Sequence, residues 1–400
     1  MDQEYKALTS VFSAHNGYKS WATKRIVASR RLKYASLTAS EKNLLPWMES
    51  HIDYLEHSID LNSQFLQQIA TTVAPIWGAE SDPGVWAECS GQDLENVRSV
   101  LVQFAREWSS DGEQERDISF GRILRECESL FPDVEARQNV EVLVPGAGLG
   151  RLVIEFVKRG FRTQGNEFSY HMLTNSSFII NHSFCANNYV ICPYVHRSTN
   201  VAKRSDQVRQ IYVPDYNPGD ISLINHDYPN IPVADLMSIV AGSFVDLYGP
   251  PNLERVSDVY TTDEQAQEFR VQNKGKFQVV ATCFFLDTAA NIIEYLQAIH
   301  HCLADDGYWI NFGPLLWHHE DDETVTMFSR KDDDGEWKQV PTPARGLELS
   351  RDDLVDLVKD TGFEFTKHES GIEATYGGDP RSLGGFRYKS EFWVAKKKQV

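Results

Sequence analysis

A glycine-rich turn between a buried strand and a helix constrains this chain more than any other stretch. It lies within residues 139–167, NVEVLVPGAGLGRLVIEFVKRGFRTQGNE. Val140, Val142, Leu143 and Val144, ended by Pro145, predict a strand buried on both faces. Gly146, Gly148 and Gly150 then allow a turn whose backbone can approach a ligand closely. Leu152, Val153, Phe156 and Val157 form the apolar stripe of a helix over Arg151 to Lys158, with Gly160 as its stop. A second strand, Phe161 to Gly165, leads to Asn166 and Glu167, where a carboxylate at a strand's carboxyl end is placed to accept both hydroxyls of a ribose.

This order describes the nucleotide-binding half of a doubly wound sheet without naming the nucleotide. The dinucleotide fingerprint requires G-x-G-x-x-G, and its third glycine would fall on Arg151. What stands is G-x-G-x-G, the spacing usual in S-adenosylmethionine methyltransferases, where the loop cradles no pyrophosphate and lies under the methionine part of the cofactor. A glycine turn alone can be a tight turn and nothing more. Glu167 in register makes cofactor binding the better reading.

The remaining chain sets bounds. At 400 residues, 42% hydrophobic and 12% aromatic, it has ample material for a core. A formal charge of −18 speaks against a surface that tracks nucleic-acid phosphates. Basic clusters such as Lys24, Arg25, Arg30, Arg31 and Lys33 are read as solvated helix charges. No apolar run reaches membrane-spanning length, and the N-terminus lacks a secretory apolar segment. Cys89, Cys127, Cys185, Cys192, Cys283 and Cys302 form no C-x-x-C pair, so we expect reduced thiols in a cytoplasmic or nuclear protein. No heptad seam announces a homodimer, which stays open.

Residues 1–135 are predicted helical, with Thr38 and Glu41 as a capping box ahead of Leu44, Leu45, Trp47 and Met48. Residues 92–108 put Leu94, Val97, Val100, Leu101, Phe104 and Trp108 on one helical face. By periodicity alone Gln103 and Arg106 then belong to solvent; if their face instead covers the glycine loop, they could reach a bound carboxylate. Beyond Glu167 a helix over 169–187 is expected, capped by Ser169, then an irregular polar stretch over 189–232, either functional or peripheral. A strand over 236–241 ends at Gly242, Ser243 and Phe244; residues 249–276 look like an insertion holding a short helix over 263–269. A strand over 277–285 runs into Asp287, a helix over 292–303 closes at Gly307, and a strand over 308–312 leads to His318. Residues 321–345 are acidic and loop-like, 350–359 a capped helix, and 363–366 and 391–395 terminal strands with a hairpin-like excursion between them.

This alternation predicts an α/β domain over 136–400 with a mostly parallel sheet covered on both faces, behind the helical N-terminal region. Its site should lie outside the carboxyl ends of the strands, which collects the glycine loop, Glu167, Ser243, Phe244, Cys283, Asp287 and His318. His318 and His319 before Glu320, Asp321 and Asp322 lack a metal-ligand spacing. Cys283 is read as a packed thiol rather than a nucleophile.

Several separated blocks, VLVPGAGLGRL, QGNE, ATCFFLDTA with Asn291, NFGPLLWH, and upstream QFAREWS and ERD, resemble the carnosine N-methyltransferase family. The resemblance implies a Rossmann-like, seven-stranded methyltransferase fold whose helical N-terminal region contributes a lid over the cofactor, and transfer of the S-adenosylmethionine methyl group to the imidazole of carnosine, giving anserine. It marks Gln103, Arg106, Gly146, Glu167, Phe244 and Cys283 for the cofactor, and Asp287, His318, Tyr388 and Tyr376 for the substrate. Where the family's pattern has an acid before Phe244, this chain has Ser243.

These residue types suit the chemistry. In-line transfer from a sulfonium needs alignment rather than an acid or a metal, and an imidazole attacks only through its unprotonated nitrogen. A carboxylate such as Asp287 would fix the ring's tautomer and stabilise the imidazolium as it forms, with His318 and Tyr388 positioning the dipeptide. Acids near the pocket suit the peptide's amino group. A histidine within a protein as acceptor, or a cofactor-binding but inactive partner subunit, are the competing readings.

Overall fold

The computed structural model describes residues 3–223, 231, 235–251, 264–320, 327–331, 337–341 and 346–398. The strands are β1 (Glu141–Pro145), β2 (Arg162–Glu167), β3 (Tyr189–Ile191), β4 (Ile211–Val213), β5 (Met237–Ala241), β6 (Phe277–Cys283), β7 (Leu303–Gly313), β8 (Met327–Lys331), β9 (Trp337–Pro341), β10 (Phe363–Ala374) and β11 (Tyr388–Lys397). Seven of them form one sheet in the order β10-β11-β7-β6-β1-β2-β5. Pairing is parallel from β7 across to β5, and β11 alone runs against its neighbours. The expected mostly parallel seven-stranded α/β fold is therefore present.

β1 is central because its residues tolerate burial on both faces: Val142, Leu143 and Val144 are each 2% exposed or less. The chain leaves β1 toward β2 on one side and later returns to β6 on the other, which opens the crevice at their carboxyl ends. Since β11 is antiparallel, its first residue, Tyr388, lies at that same edge, near where Glu391 pairs with Gly313.

The N-terminal region is helical as predicted, but it is no separate layer. Helices Gln3–Ala22, Met48–Ile76 and Gly91–Trp108 share one core with helix Tyr170–Asn181 and with Ile191, Tyr194, Val195, Ile211 and Val213. The stretch over 189–213 is thus part of the packing rather than an excursion, and β3 and β4 pair antiparallel within it. Asn62 secures it, donating to the Cys192 carbonyl at 3.0 Å and accepting the Cys192 N–H at 2.6 Å. The polar sequence hid this, because short strands buried by another region's helices need only alternate residues to be apolar.

Smaller differences have local causes. The Thr38–Glu41 capping box is present, but it starts only the short helix Ala39–Asn43; beyond Pro46, which offers no N–H, a new helix begins at Met48. Helix Tyr170–Asn181 stops short of residue 187. Helix Ile292–Cys302 ends earlier than expected because Leu303, fully buried, turns extended to pair with Phe277. β10 and β11 outrun their predicted spans, since β10 is an edge strand whose outward residues are polar. Within 321–345, expected as loop, β8 and β9 form an antiparallel ladder. Much of the 249–276 insertion lies outside the described residues; its helix runs Glu264–Gln272.

A buried ionic junction joins the helical region to the sheet domain. Asp215 accepts Arg116 Nη2 at 2.7 Å and Arg151 Nη1 at 2.6 Å, and its own N–H donates to the Trp108 carbonyl at 2.9 Å. Removing Asp215 takes away the carboxylate that pairs with buried Arg116 and leaves Arg151, among the described residues, only Glu155. Asp215→Ala should destabilise the protein by about 3–5 kcal/mol, lowering the urea midpoint without a change in slope.

Candidate active site

The glycine loop is left-handed at three points: φ is 65° at Gly146, 57° at Gly148 and 81° at Gly150. Close approach matters at all three, and at Gly150 a Cβ would lie 2.6 Å from the Ile180 side chain. A Cβ on Gly146 would lie 2.6 Å from the Phe285 ring, and one on Gly148 would lie 3.1 Å from Glu107 Oε1. Glu167, ending β2, is tied to this loop: Oε2 accepts the Gly148 N–H at 2.9 Å, and Oε1 accepts those of Phe168 and Ser169 at 2.8 Å each. Burial pushes the Glu167 carboxyl above its ordinary range, and the three N–H groups pull it part of the way back. Three of about four acceptor positions are filled, which leaves room for one sugar hydroxyl more readily than two.

The last turn of helix Gly91–Trp108 lies over the loop. Trp108 donates its indole N–H to the Leu149 carbonyl at 3.1 Å, and Arg151 Nη1 donates to the Glu107 carbonyl at 2.7 Å. Arg106 is not on a solvent face as periodicity predicted: it is 4% exposed. Its guanidinium sits over the rings of Tyr376, Phe120 and Phe284 at 4.4, 4.9 and 5.6 Å, and Nε donates to Glu115 at 2.7 Å. Burial opposes that charge, but the Tyr376 oxygen and the carboxylates of Glu107 and Glu115 hold the guanidinium firmly protonated. Gln103 donates to the Tyr376 hydroxyl at 2.9 Å. Gln103 Oε1 and Glu107 Oε2 are buried oxygens with no hydrogen-bond partner among the described residues.

β6 ends at Cys283, two residues before the predicted end, because Phe284 turns to φ 51°. Such a conformation is unusual for an aromatic residue and marks a site where neighbours over-determine the backbone. Here the Phe284 N–H is fixed to the Phe312 carbonyl at 2.8 Å, and its ring lies 4.9 Å from Tyr376 and 5.9 Å from Tyr388. Burial lifts the Cys283 thiol to about 12, so it stays protonated, as a packed thiol should.

Asp287 follows on a turn, 3% exposed. Its Oδ2 accepts the Leu316 N–H at 3.1 Å, and its carbonyl accepts that of His318 at 2.9 Å. Burial raises its carboxyl to about 6, against the pull of the Leu316 N–H. Half-buried Tyr388 is close enough to feel that charge, which adds to burial in raising its own hydroxyl. His318 stands at the mouth of the crevice; packing first, then His319, lowers its imidazole, which favours the neutral form. Asp321 and Asp322, beyond this loop, lie outside the described residues.

The opposite wall is aromatic. Phe244 is perpendicular to Phe285 at 5.4 Å and stacked on Tyr248 at 5.6 Å, while Phe285 stacks on Tyr295 at 4.7 Å. Ser243 caps the short helix Phe244–Tyr248, accepting the Asp246 N–H. The predicted residues thus gather at one sheet edge, with Gln103, Arg106, Cys283 and Tyr376 on one side of the loop and Ser243 and Phe244 on the other.

A family model described as Carnosine N-methyltransferase matches residues 83–399. A protein of that name from Schizosaccharomyces pombe is 35% identical over 402 residues, covering 99% of this chain and 96% of its own length. The Mus musculus protein is 29% identical, covering 97% and 85%, and that of Dictyostelium discoideum 32% identical, covering 90% and 69%. The chain belongs to the carnosine N-methyltransferase family. The family uses S-adenosylmethionine, and the residues here fit that cofactor: three glycines in the loop, an acid with acceptor capacity beside it, and at Gly148 the buried Glu107 carboxylate, one oxygen of which has no hydrogen-bond partner among the described residues.

Three participants escaped the sequence reading. Phe285 continues the strand-like run FQVVATCFF, Glu107 stands beside Arg106 in QFAREWS, and Glu115 belongs to the ERD block without a role of its own. Glu115 accepts Arg106 Nε, the Thr375 hydroxyl at 2.6 Å and the Gly377 N–H at 2.9 Å, fixing the β10–β11 connection that carries Tyr376. Glu167→Ala should weaken binding of S-adenosylhomocysteine about 10- to 100-fold, the worth of a charge-assisted hydrogen bond, as measured by titration calorimetry.

Proposed function

We propose that this methyltransferase acts on the imidazole of carnosine, β-alanyl-histidine, giving anserine. The observation that carries the reading is Asp287, a deeply buried carboxylate at the carboxyl end of β6, set by the Leu316 N–H with Tyr388 beside it. The relatives' shared name supports the same acceptor. When bound, the cofactor supplies an electrophilic methyl group whose sulfur leaves neutral.

The protein's own part is placement. Gly146, Gly148 and Gly150 leave space for the cofactor; Glu167 takes a ribose hydroxyl; Phe244 and Ser243 border the adenine side; Gln103 and Arg106 face the methionine end beside Cys283. Asp287 accepts the N–H of one ring nitrogen, which leaves the other unprotonated for attack and stabilises the imidazolium as it forms. Neutral His318, Tyr388 and Tyr376 position the dipeptide, a contribution that can reach several kcal/mol. The N-terminal helices close the cofactor side as a lid.

Incubation with methyl-labelled cofactor, carnosine, free histidine, Gly-Gly-His and cell extract, followed by mass analysis, should place the label on carnosine's ring. Label confined to large proteins would replace the dipeptide with a protein acceptor.

The pH dependence separates enzyme from substrate. Asp287 is useful only when ionised, above about 6, and a histidine ring attacks only when neutral, above roughly 6.5. Below both values kcat/KM should fall with a limiting logarithmic slope of about two. In Asp287→Asn the rate should drop about 100-fold or more and the slope should approach one. An unchanged acid limb in the variant would remove Asp287 from the reaction.

A further inference from the structure

Glu107 is 4% exposed, and its carboxylate faces the glycine loop: a Cβ on Gly148 would lie 3.1 Å from Oε1 and 3.9 Å from Oε2. The same Gly148 gives its N–H to Glu167, so the loop is bracketed by two acids. Oε1 receives Arg106 Nη1 at 3.3 Å, and Oε2 has no hydrogen-bond partner among the described residues. A buried carboxylate oxygen left unsatisfied is costly, so one within 3.9 Å of the Cβ position at Gly148 calls for a donor that arrives with a ligand on the glycine loop.

The local packing makes little use of this side chain. The helix end is fastened through the Glu107 carbonyl and the Trp108 indole, and Arg106 has a shorter contact with Glu115. Burial raises the Glu107 carboxyl above its ordinary range, and Arg106, Arg116 and Arg151 around it pull it part of the way back toward the ionised form that a cationic ligand would complete. The missing side chain at Gly148 leaves the space a small ligand group would occupy.

We propose that Glu107 binds the α-ammonium group of the cofactor's methionine part, and so selects ligands that carry it. This rests on the cofactor reading above. An ammonium has three donors and no acceptor, which matches an oxygen that has only lone pairs to offer. Gln103 and Arg106, one helical turn and one residue earlier, are left for the carboxylate of the same amino acid.

The test compares S-adenosylhomocysteine with its deamino analogue, identical except that hydrogen replaces the α-amino group, by calorimetry on the full chain. The native protein should bind the amino compound about 10- to 100-fold more tightly. Glu107→Gln should lose that preference while holding the deamino analogue as before; Glu107→Asp, which keeps the charge, should retain part of it. Thermal melting of each variant checks the fold. If Glu107→Gln keeps the native preference, or weakens both ligands equally, the carboxylate is structural and the inference falls. If the native protein binds neither compound, it is the cofactor reading that falls.

Discussion

The site depends on one contact, the seating of the last turn of helix Gly91–Trp108 on the glycine loop. Without it the loop would be a rim open to solvent, and no charge above it would be dry. Arg151 makes the contact possible. It begins the helix after the loop, and its guanidinium lies over Trp108 at 5.1 Å and Tyr216 at 4.6 Å while bonding the Glu107 carbonyl and Asp215. This is the position where a dinucleotide fingerprint would demand glycine. A residue that excluded one cofactor class at the level of sequence is therefore the residue that fastens the roof over the other.

Two carboxylates at the same sheet edge are prepared differently for their work. Glu167 is held by three backbone N–H groups, which fix its direction and offset its burial. Asp287 has one such donor at Oδ2 and is buried nearly as deeply as the core, so its proton is easily gained or lost near neutrality. An acid that must always accept benefits from fixed donors. An acid that meets a ring whose charge changes during reaction benefits from a dry setting, where its attraction for the cationic product is strongest.

What was legible in the sequence follows from how local the cause is. β1, the glycine turn and Glu167 are specified by neighbours in the chain, and they stand where the pattern put them. Arg106 was not legible from periodicity, because the rings that bury it, Phe120, Phe284 and Tyr376, come from three distant segments. The family resemblance, which compares whole blocks, marked it for the site regardless. Phe284 reads as a strand residue because nothing in FQVVATCFF announces positive φ; it turns where its N–H meets the Phe312 carbonyl on β7 and its ring meets Tyr376 from a distant segment. The pairing of β3 with β4 was hidden for a related reason, since the partners that bury them lie in the N-terminal helices.

The cofactor wall and the substrate wall are not independent surfaces. Glu115 holds Arg106 with one oxygen and the Thr375 hydroxyl with the other, so the roof over the glycine loop and the connection between β10 and β11 share a single acid. Tyr376, carried on that connection, receives Gln103 at its hydroxyl, covers Arg106 with its face, and meets Phe284, which in turn touches Tyr388. A shift of the roof therefore moves Tyr376, and a shift of Tyr376 reaches Tyr388 through one aromatic ring. In-line transfer between two separately bound molecules asks for this arrangement, in which the walls that hold donor and acceptor are parts of one packed unit.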